Sequence, residues 1–141
     1  MSSPKIIVPD ASVILKWVLR DDEMHRENAL AILSGWLDGK HEIVVPPLWR
    51  YEVGNILTRR EPLYVGAIME KLLQYEFPEI EISGALLSIM IELTQSKRVT
   101  FYDAAYHAIA ILEKGKFVTF DKEYYNKAKD KGHIQLLDSF M

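Results

Sequence analysis

Four acidic residues stand where an unaccompanied charge is expensive. Asp10 sits at the join of "KIIVP" and "ASVILKW", where an apolar strand-like run gives way to an amphipathic helix, and Asp121 follows "KFVTF" in the same manner. Glu52 lies in "PLWRYEVGNILTRR", where Leu48, Trp49, Val53, Ile56 and Leu57 cover roughly half the helical wheel and Glu52 projects inside that stripe. Asp103 opens "TFYDAAYHAIA", a segment whose alanines permit close packing on a sheet. A lone buried carboxylate costs several kcal/mol unless it is paired or neutralised. Each acid also has an ordinary role open to it. Asp10 and Asp121 could cap helices, Glu52 could pair with Arg59, and Asp103 could form a capping box with Thr100.

Together the four would repel, since two carboxylates about 4 Å apart at an effective dielectric near 20 cost on the order of 4 kcal/mol. A hard divalent cation with oxygen ligands and retained waters relieves that cost. The chain has no cysteine and no histidine cluster, which favours Mg²⁺ or Mn²⁺ over zinc. Such ions suit in-line phosphoryl chemistry. No glycine-rich phosphate loop and no G-x-S-x-G elbow is present, so other catalytic layouts lack support.

The elements that must place these acids alternate along the chain. Short β-branched or alternating runs predict strands at 5–9, 42–46, 79–82, 116–120 and 134–137. Between them the apolar spacing and caps predict helices at 12–20, 23–39, 47–60, 62–75, 83–96, 101–114 and 122–131, with Gly39 and Gly115 as stops. The helix at 23–39 places Leu30, Leu33 and Leu37 at helical spacing. This alternation predicts an α/β fold with a parallel sheet covered on both faces. In such sheets sites lie at the carboxyl ends of strands. If the strands at 5–9 and 116–120 are neighbours, Asp10 and Asp121 open onto one crevice.

The bulk numbers fit one soluble domain spanning 1–141: the apolar share is 49% and the charged share 26%. "MSSPK" runs directly into a strand and no apolar stretch reaches membrane-spanning length, so the expectation is a cytoplasmic protein without a membrane contact. The net charge of -3 counts modestly against nucleic acid as a ligand, unless a concentrated acidic site masks basic patches elsewhere.

"VPDASVILKW", "PPLWRYEVGNIL", "TFYDAAYHAIA" and "VTFDKEYYNKA", in that order, resemble the PIN-domain proteins, specifically the VapC-type toxin ribonucleases. The resemblance implies a three-layer α/β/α sandwich around a parallel sheet of four or five strands in the order 3-2-1-4-5. It implies Mg²⁺- or Mn²⁺-dependent hydrolysis of RNA phosphodiesters, a homodimer and a cognate antitoxin. Carried over by position, Asp10 and Asp103 would be principal metal ligands, with Glu52 and Asp121 partial or water-mediated ones. Ser12 and Thr119 match its small hydroxyl positions and Asn55 its helical polar neighbour. Phe120 departs from the pattern, standing where a small or polar residue is commoner.

Candidate RNA contacts are Lys16, Arg20, Arg59 and Arg60, with a solvated helix face as the plain alternative. Tyr124 and Tyr125 could stack bases, close the dimer or pack in the core, and His107 reads as a surface or supporting residue rather than a ligand. Two other functions compete. A receiver-like or phosphatase-like phosphotransfer domain would need a lysine at a later strand end, where Thr119 and Asp121 stand. A peptide-binding module would use the acidic crevice without catalysis.

Overall fold

The computed structural model describes residues 5–21 and 23–140. Strand β1 (Lys5–Pro9) runs through the centre of a parallel sheet. It pairs with β2 (His41–Ile43) on one side and β3 (Lys116–Thr119) on the other, and β4 (Ile134–Leu136) lies outside β3. Consecutive strand side chains point to opposite faces. Ile7 and Val8 are nevertheless both buried, as are Phe117 and Val118, so both faces are covered. Helices α1 (Ala11–Val18) and α6 (Phe101–Leu112) each pack on β1 and β3. Around them lie α2 (Arg26–Leu37), α3 (Trp49–Arg60), α4 (Val65–Gln74), α5 (Gly84–Lys97) and α7 (Lys122–Ala128).

The expected order of strands holds, with one reduction. Residues 79–82 form no strand; a single parallel bridge joins Val45 to Glu79. Val45 N–H donates to Pro78 O and Ile80 N–H donates to Val45 O, after which Ser83 turns the chain into α5 by accepting from Leu86 N–H. The sheet edge is thereby closed by one residue instead of a strand. Several helices also end early. Leu19 adopts an extended conformation (ψ 122°), so α1 stops at Val18 and Arg20 does not share its face with Lys16. The helix expected to 131 ends at Ala128 and tightens into a 3₁₀ turn.

The inward face of α2 is centred on small residues and one isoleucine, with Leu33 packed partly against the core. Ala29, Ile32 and Gly35 are buried, whereas Leu30 and Leu37 are exposed at 40% and 61%. The leucine spacing marked a helix but not its orientation, because small residues let α2 approach closely. Phe77, reached after α4, organises this side: its ring lies 4.9–5.8 Å from those of Trp36, Tyr75, Trp49 and Trp17. At the opposite end of α6, Gly115 lets the chain turn into β3, since a Cβ there would stand 2.5 Å from the Ile6 carbonyl oxygen.

The orientation of α2 gives a direct test by urea denaturation. Ile32→Ala should cost about 2–4 kcal/mol, as for a buried aliphatic truncation, while Leu37→Ala should stay within about 0.5 kcal/mol.

Candidate active site

Each of the four acids begins a helix. Asp10 is the N-cap of α1 and Asp121 the N-cap of α7, while Glu52 and Asp103 lie in the first turns of α3 and α6. In a parallel sheet with returning helices, helix N-termini gather at the carboxyl ends of the strands. Orphan N–H groups and the helix dipole there favour negative charge. The capping roles therefore hold: Asp10 Oδ1 accepts from Val13 N–H at 3.2 Å, and Asp121 Oδ1 from Tyr124 N–H at 3.0 Å. Thr100 caps α6 as expected, accepting from Asp103 N–H at 3.0 Å.

Asp10 is the most firmly held. Ser12 Oγ donates to its Oδ1 and Thr119 Oγ1 to its Oδ2, each at 2.5 Å. Both hydroxyls accept in turn from the turn after β3: Phe120 N–H donates to Ser12 at 3.4 Å and Asp121 N–H to Thr119 at 3.0 Å. An amide-to-hydroxyl-to-carboxylate relay thus fixes the direction of both hydroxyl protons and ties Asp121 to Asp10. Burial dominates its energetics all the same, lifting the Asp10 carboxyl to about 6 against the pull of those donors, with Asp103 adding to the rise.

Glu52 Oε1 accepts from Tyr106 Oη at 2.6 Å; among the described residues it forms no pair with Arg59. Tyr106 is buried, stacks on Phe117 with centroids 6.0 Å apart, and keeps its proton because burial and the surrounding carboxylates push its ionisation far up. Glu52 is raised by partial burial and by Asp103 and Asp10; Asp103 is raised by burial and by Asp121. Thr100 and Lys127 partly oppose the rise at Asp103. All four acids thus belong to one electrostatic system. Asp103 and Asp121 further share a cleft of about 230 Å³ with Arg98, Val99, Thr100, Glu123, Tyr124 and Lys127.

The PIN domain family model matches residues 7–130, a span that includes all four acids. The chain belongs to the PIN domain family. Several solved structures share its fold. A toxin–antitoxin complex from Klebsiella pneumoniae has a chain with TM-score 0.68 at 15% identity, covering 93% of this chain and 97% of that one. VapBC2 from Rickettsia felis, bound to a promoter DNA fragment, gives 0.67 at 12%, covering 93% and 96%. VapC20 from Mycobacterium tuberculosis, a sarcin-ricin loop cleaving toxin, gives 0.64 at 15%, covering 90% and 95%. No curated protein shows significant sequence similarity to the chain.

PIN domains are nucleases that generally use divalent metal ions, so the acids of this one must be weighed against such an ion. Among the described residues no three His, Cys, Asp or Glu side chains form a ready-made metal cage. The donor chemistry does fit: oxygen-only ligands, mutually destabilised as charges, suit a hard cation that keeps much of its water. Asp10, Glu52, Asp103 and Asp121 are the residues that would hold it, supplying carboxylate oxygens.

Other expected residues fall differently. Lys16 is 1% exposed, with its ammonium 4.1 Å from the Phe120 ring centroid, so it cannot lie on a solvated RNA-facing surface. Burying its stem completes the core beneath Phe120, whose ring also meets that of His25. Arg20, Arg59 and Arg60 are exposed, and Arg60 pairs with Asp21 at 2.8 Å. Asn55 is exposed and makes no hydrogen bond to Glu52 among the described residues.

His107 is fully buried instead of superficial. Its Nε2 faces the Gly132 carbonyl at 2.8 Å and must carry the proton, leaving Nδ1 to accept from Tyr124 Oη at 2.8 Å. Tyr124 is accordingly a core residue. Tyr106 was missed altogether; its spacing of one turn from Asp103 was the available signal.

The raised Asp10 pKa has a definite sign. The folded carboxyl binds its proton near pH 6, whereas an unfolded aspartate does so near 4. The folded state therefore gains stability from this group as pH falls from about 7 to 4, and loses it as pH rises through about 6. In EDTA at pH 7.5, Asp10→Asn should raise the melting temperature by a few degrees, equivalent to about 1–3 kcal/mol, and the gain should vanish near pH 4. A less stable variant at pH 7.5 would show that the hydroxyl relay outweighs burial.

Proposed function

We propose that this PIN domain is an Mg²⁺- or Mn²⁺-dependent endoribonuclease that hydrolyses RNA phosphodiester bonds, and that it is the toxin of a toxin–antitoxin pair. The observation that carries this reading is the coupling of Asp10, Glu52, Asp103 and Asp121 at the carboxyl edge of the sheet. A divalent ion held there would supply charge to activate water and offset the developing negative charge at phosphorus. The chain's own part is to aim the donors. Ser12 and Thr119 hold both oxygens of Asp10, and Tyr106 holds one oxygen of Glu52 while leaving the other available. Asp121 stays exposed at the mouth, suited to orienting water.

The toxin role is supported by the likeness to chains solved with antitoxins from Klebsiella pneumoniae and Rickettsia felis, and implies an antitoxin partner for this protein. A homodimer is supported by exposed apolar side chains at the start of α6 and along α5: Phe101, Tyr102, Leu87 and Ile91, with Ile82 just before. The whole chain, 1–141, would act as one unit in the cytoplasm. No helix among the described residues is long and apolar enough to cross a membrane.

Antitoxin-free protein should cleave total cellular RNA when Mg²⁺ or Mn²⁺ is added and stop when EDTA removes it. Asp10→Asn and Asp103→Asn should each reduce cleavage to the metal-free level while keeping the native circular dichroism spectrum. Metal-independent cleavage, or full activity in either folded variant, would overturn the proposal.

A further inference from the structure

A polyanion approaching four coupled carboxylates on a chain of net charge -3 meets repulsion, so the substrate needs basic groups close to the acids. The residues expected to serve lie poorly for this. Lys16 is buried. Arg59 and Arg60 close the last turn of α3, with Glu52 in its first, about 10–12 Å away along the axis.

Two other basic side chains line the cleft that Asp103 and Asp121 share, Arg98 and Lys127. Lys127 is near enough for its charge to offset the rise in the Asp103 pKa. Its ion pair with Glu123 at 3.6 Å joins side chains that are 44% and 82% exposed, and so holds it weakly. Arg98 is exposed and makes no ion pair or side-chain hydrogen bond among the described residues.

Its backbone adds a separate observation. Arg98 is the C-cap of α5 in the left-handed conformation (φ 56°), donating its N–H to Thr94 O. Glycine or asparagine would take that position at lower cost than an L-residue with a full side chain. Arg98 stands two residues before the Thr100 cap of α6 and lines the cleft with it.

We infer that Arg98 and Lys127 form a phosphate subsite, which seats a phosphodiester of the RNA strand next to the bond presented to the acids. This rests on the ribonuclease reading above and specifies how that site holds its substrate. The cleft, about 230 Å³ and open to solvent, accommodates a phosphate group with part of its sugar. Arg98 offers a planar fork to two phosphate oxygens, and Lys127 a mobile point charge. Tyr124, anchored through its hydroxyl to His107, forms a fixed wall between them and the core.

The test is steady-state cleavage of a labelled single-stranded RNA at several salt concentrations, alongside Mn²⁺ titrations read by isothermal calorimetry without RNA. Arg98→Ala/Lys127→Ala should raise KM about tenfold and flatten the slope of log KM against log salt by about 1.4, two contacts at ~0.7 each for single strands. The turnover at saturating RNA and the Mn²⁺ midpoint should be unchanged. Arg98→Lys with native Lys127 should recover most of the affinity. A charge-matched control, Lys5→Ala/Lys40→Ala at the amino ends of β1 and β2, should change neither quantity. An unchanged KM and salt slope in the double variant overturns the subsite, as does a defect confined to turnover or to the Mn²⁺ midpoint. If the unaltered protein neither cleaves nor binds RNA, the ribonuclease reading falls and the subsite with it; intact cleavage with an unchanged KM sinks the subsite alone.

Discussion

The carboxylate of Asp10 is held at the carboxyl end of the central strand, where burial disfavours its charge and two hydroxyls restore part of what burial removes. Much of the surrounding structure answers to that conflict. Val13 N–H at the start of α1 donates to the acid directly, and the turn after β3 donates through Ser12 and Thr119. Because β1 and β3 are hydrogen-bonded neighbours, one relay spans two strands and sets the position of Asp121 along with that of Asp10. A hydrophobic residue at position 10 would remove the electrostatic penalty and leave both hydroxyls and the turn amides without their common acceptor.

The same geometry resolves an apparent choice between capping and function. Capping is how the fold puts an acid at a helix start; parallel topology is how it brings four helix starts to one edge. Asp10 and Asp121 cap their helices and also enter the shared field. Glu52 and Asp103 sit one turn further in, where they are partly shielded from water and feel one another. Tyr106 completes this pairing by reaching from α6 to α3, so two helices separated in sequence are joined by a bond to the acid itself.

Support for the site extends outward through ordinary packing. His107 locks α7 to α6 and to the turn at Gly132 without facing solvent, which keeps Tyr124 and the Asp121 cap in register. Phe120 contacts both the Lys16 ammonium and the His25 ring, so its side chain packs on the turn after β3. On the far side, the Phe77 cluster braces α3, which carries Glu52. Exposed apolar side chains are spread over several elements, with Tyr51, Leu63 and Tyr64 as open to solvent as those of α5 and the start of α6.

How much of this was legible in the chain differs by the range of the interaction. Strand and helix periodicity, the caps at Ser83 and Thr100, the stop after α6 and the placement of acids at element starts are local, and they could be read within a few residues. The strands at 5–9 and 116–120 are neighbours, as the strand order implied by the family resemblance had it; no local pattern in the chain fixes that pairing. The burial of Lys16, the inward face of α2, the single bridge at Glu79 and the interior place of His107 were decided only when distant segments packed together. The sequence by itself determined which residues are acids at helix starts, because capping and periodicity act over one or two turns. Which of those starts meet, and which basic side chains stand beside them, was settled by tertiary packing, because charge interactions act through space between segments that are far apart in the chain.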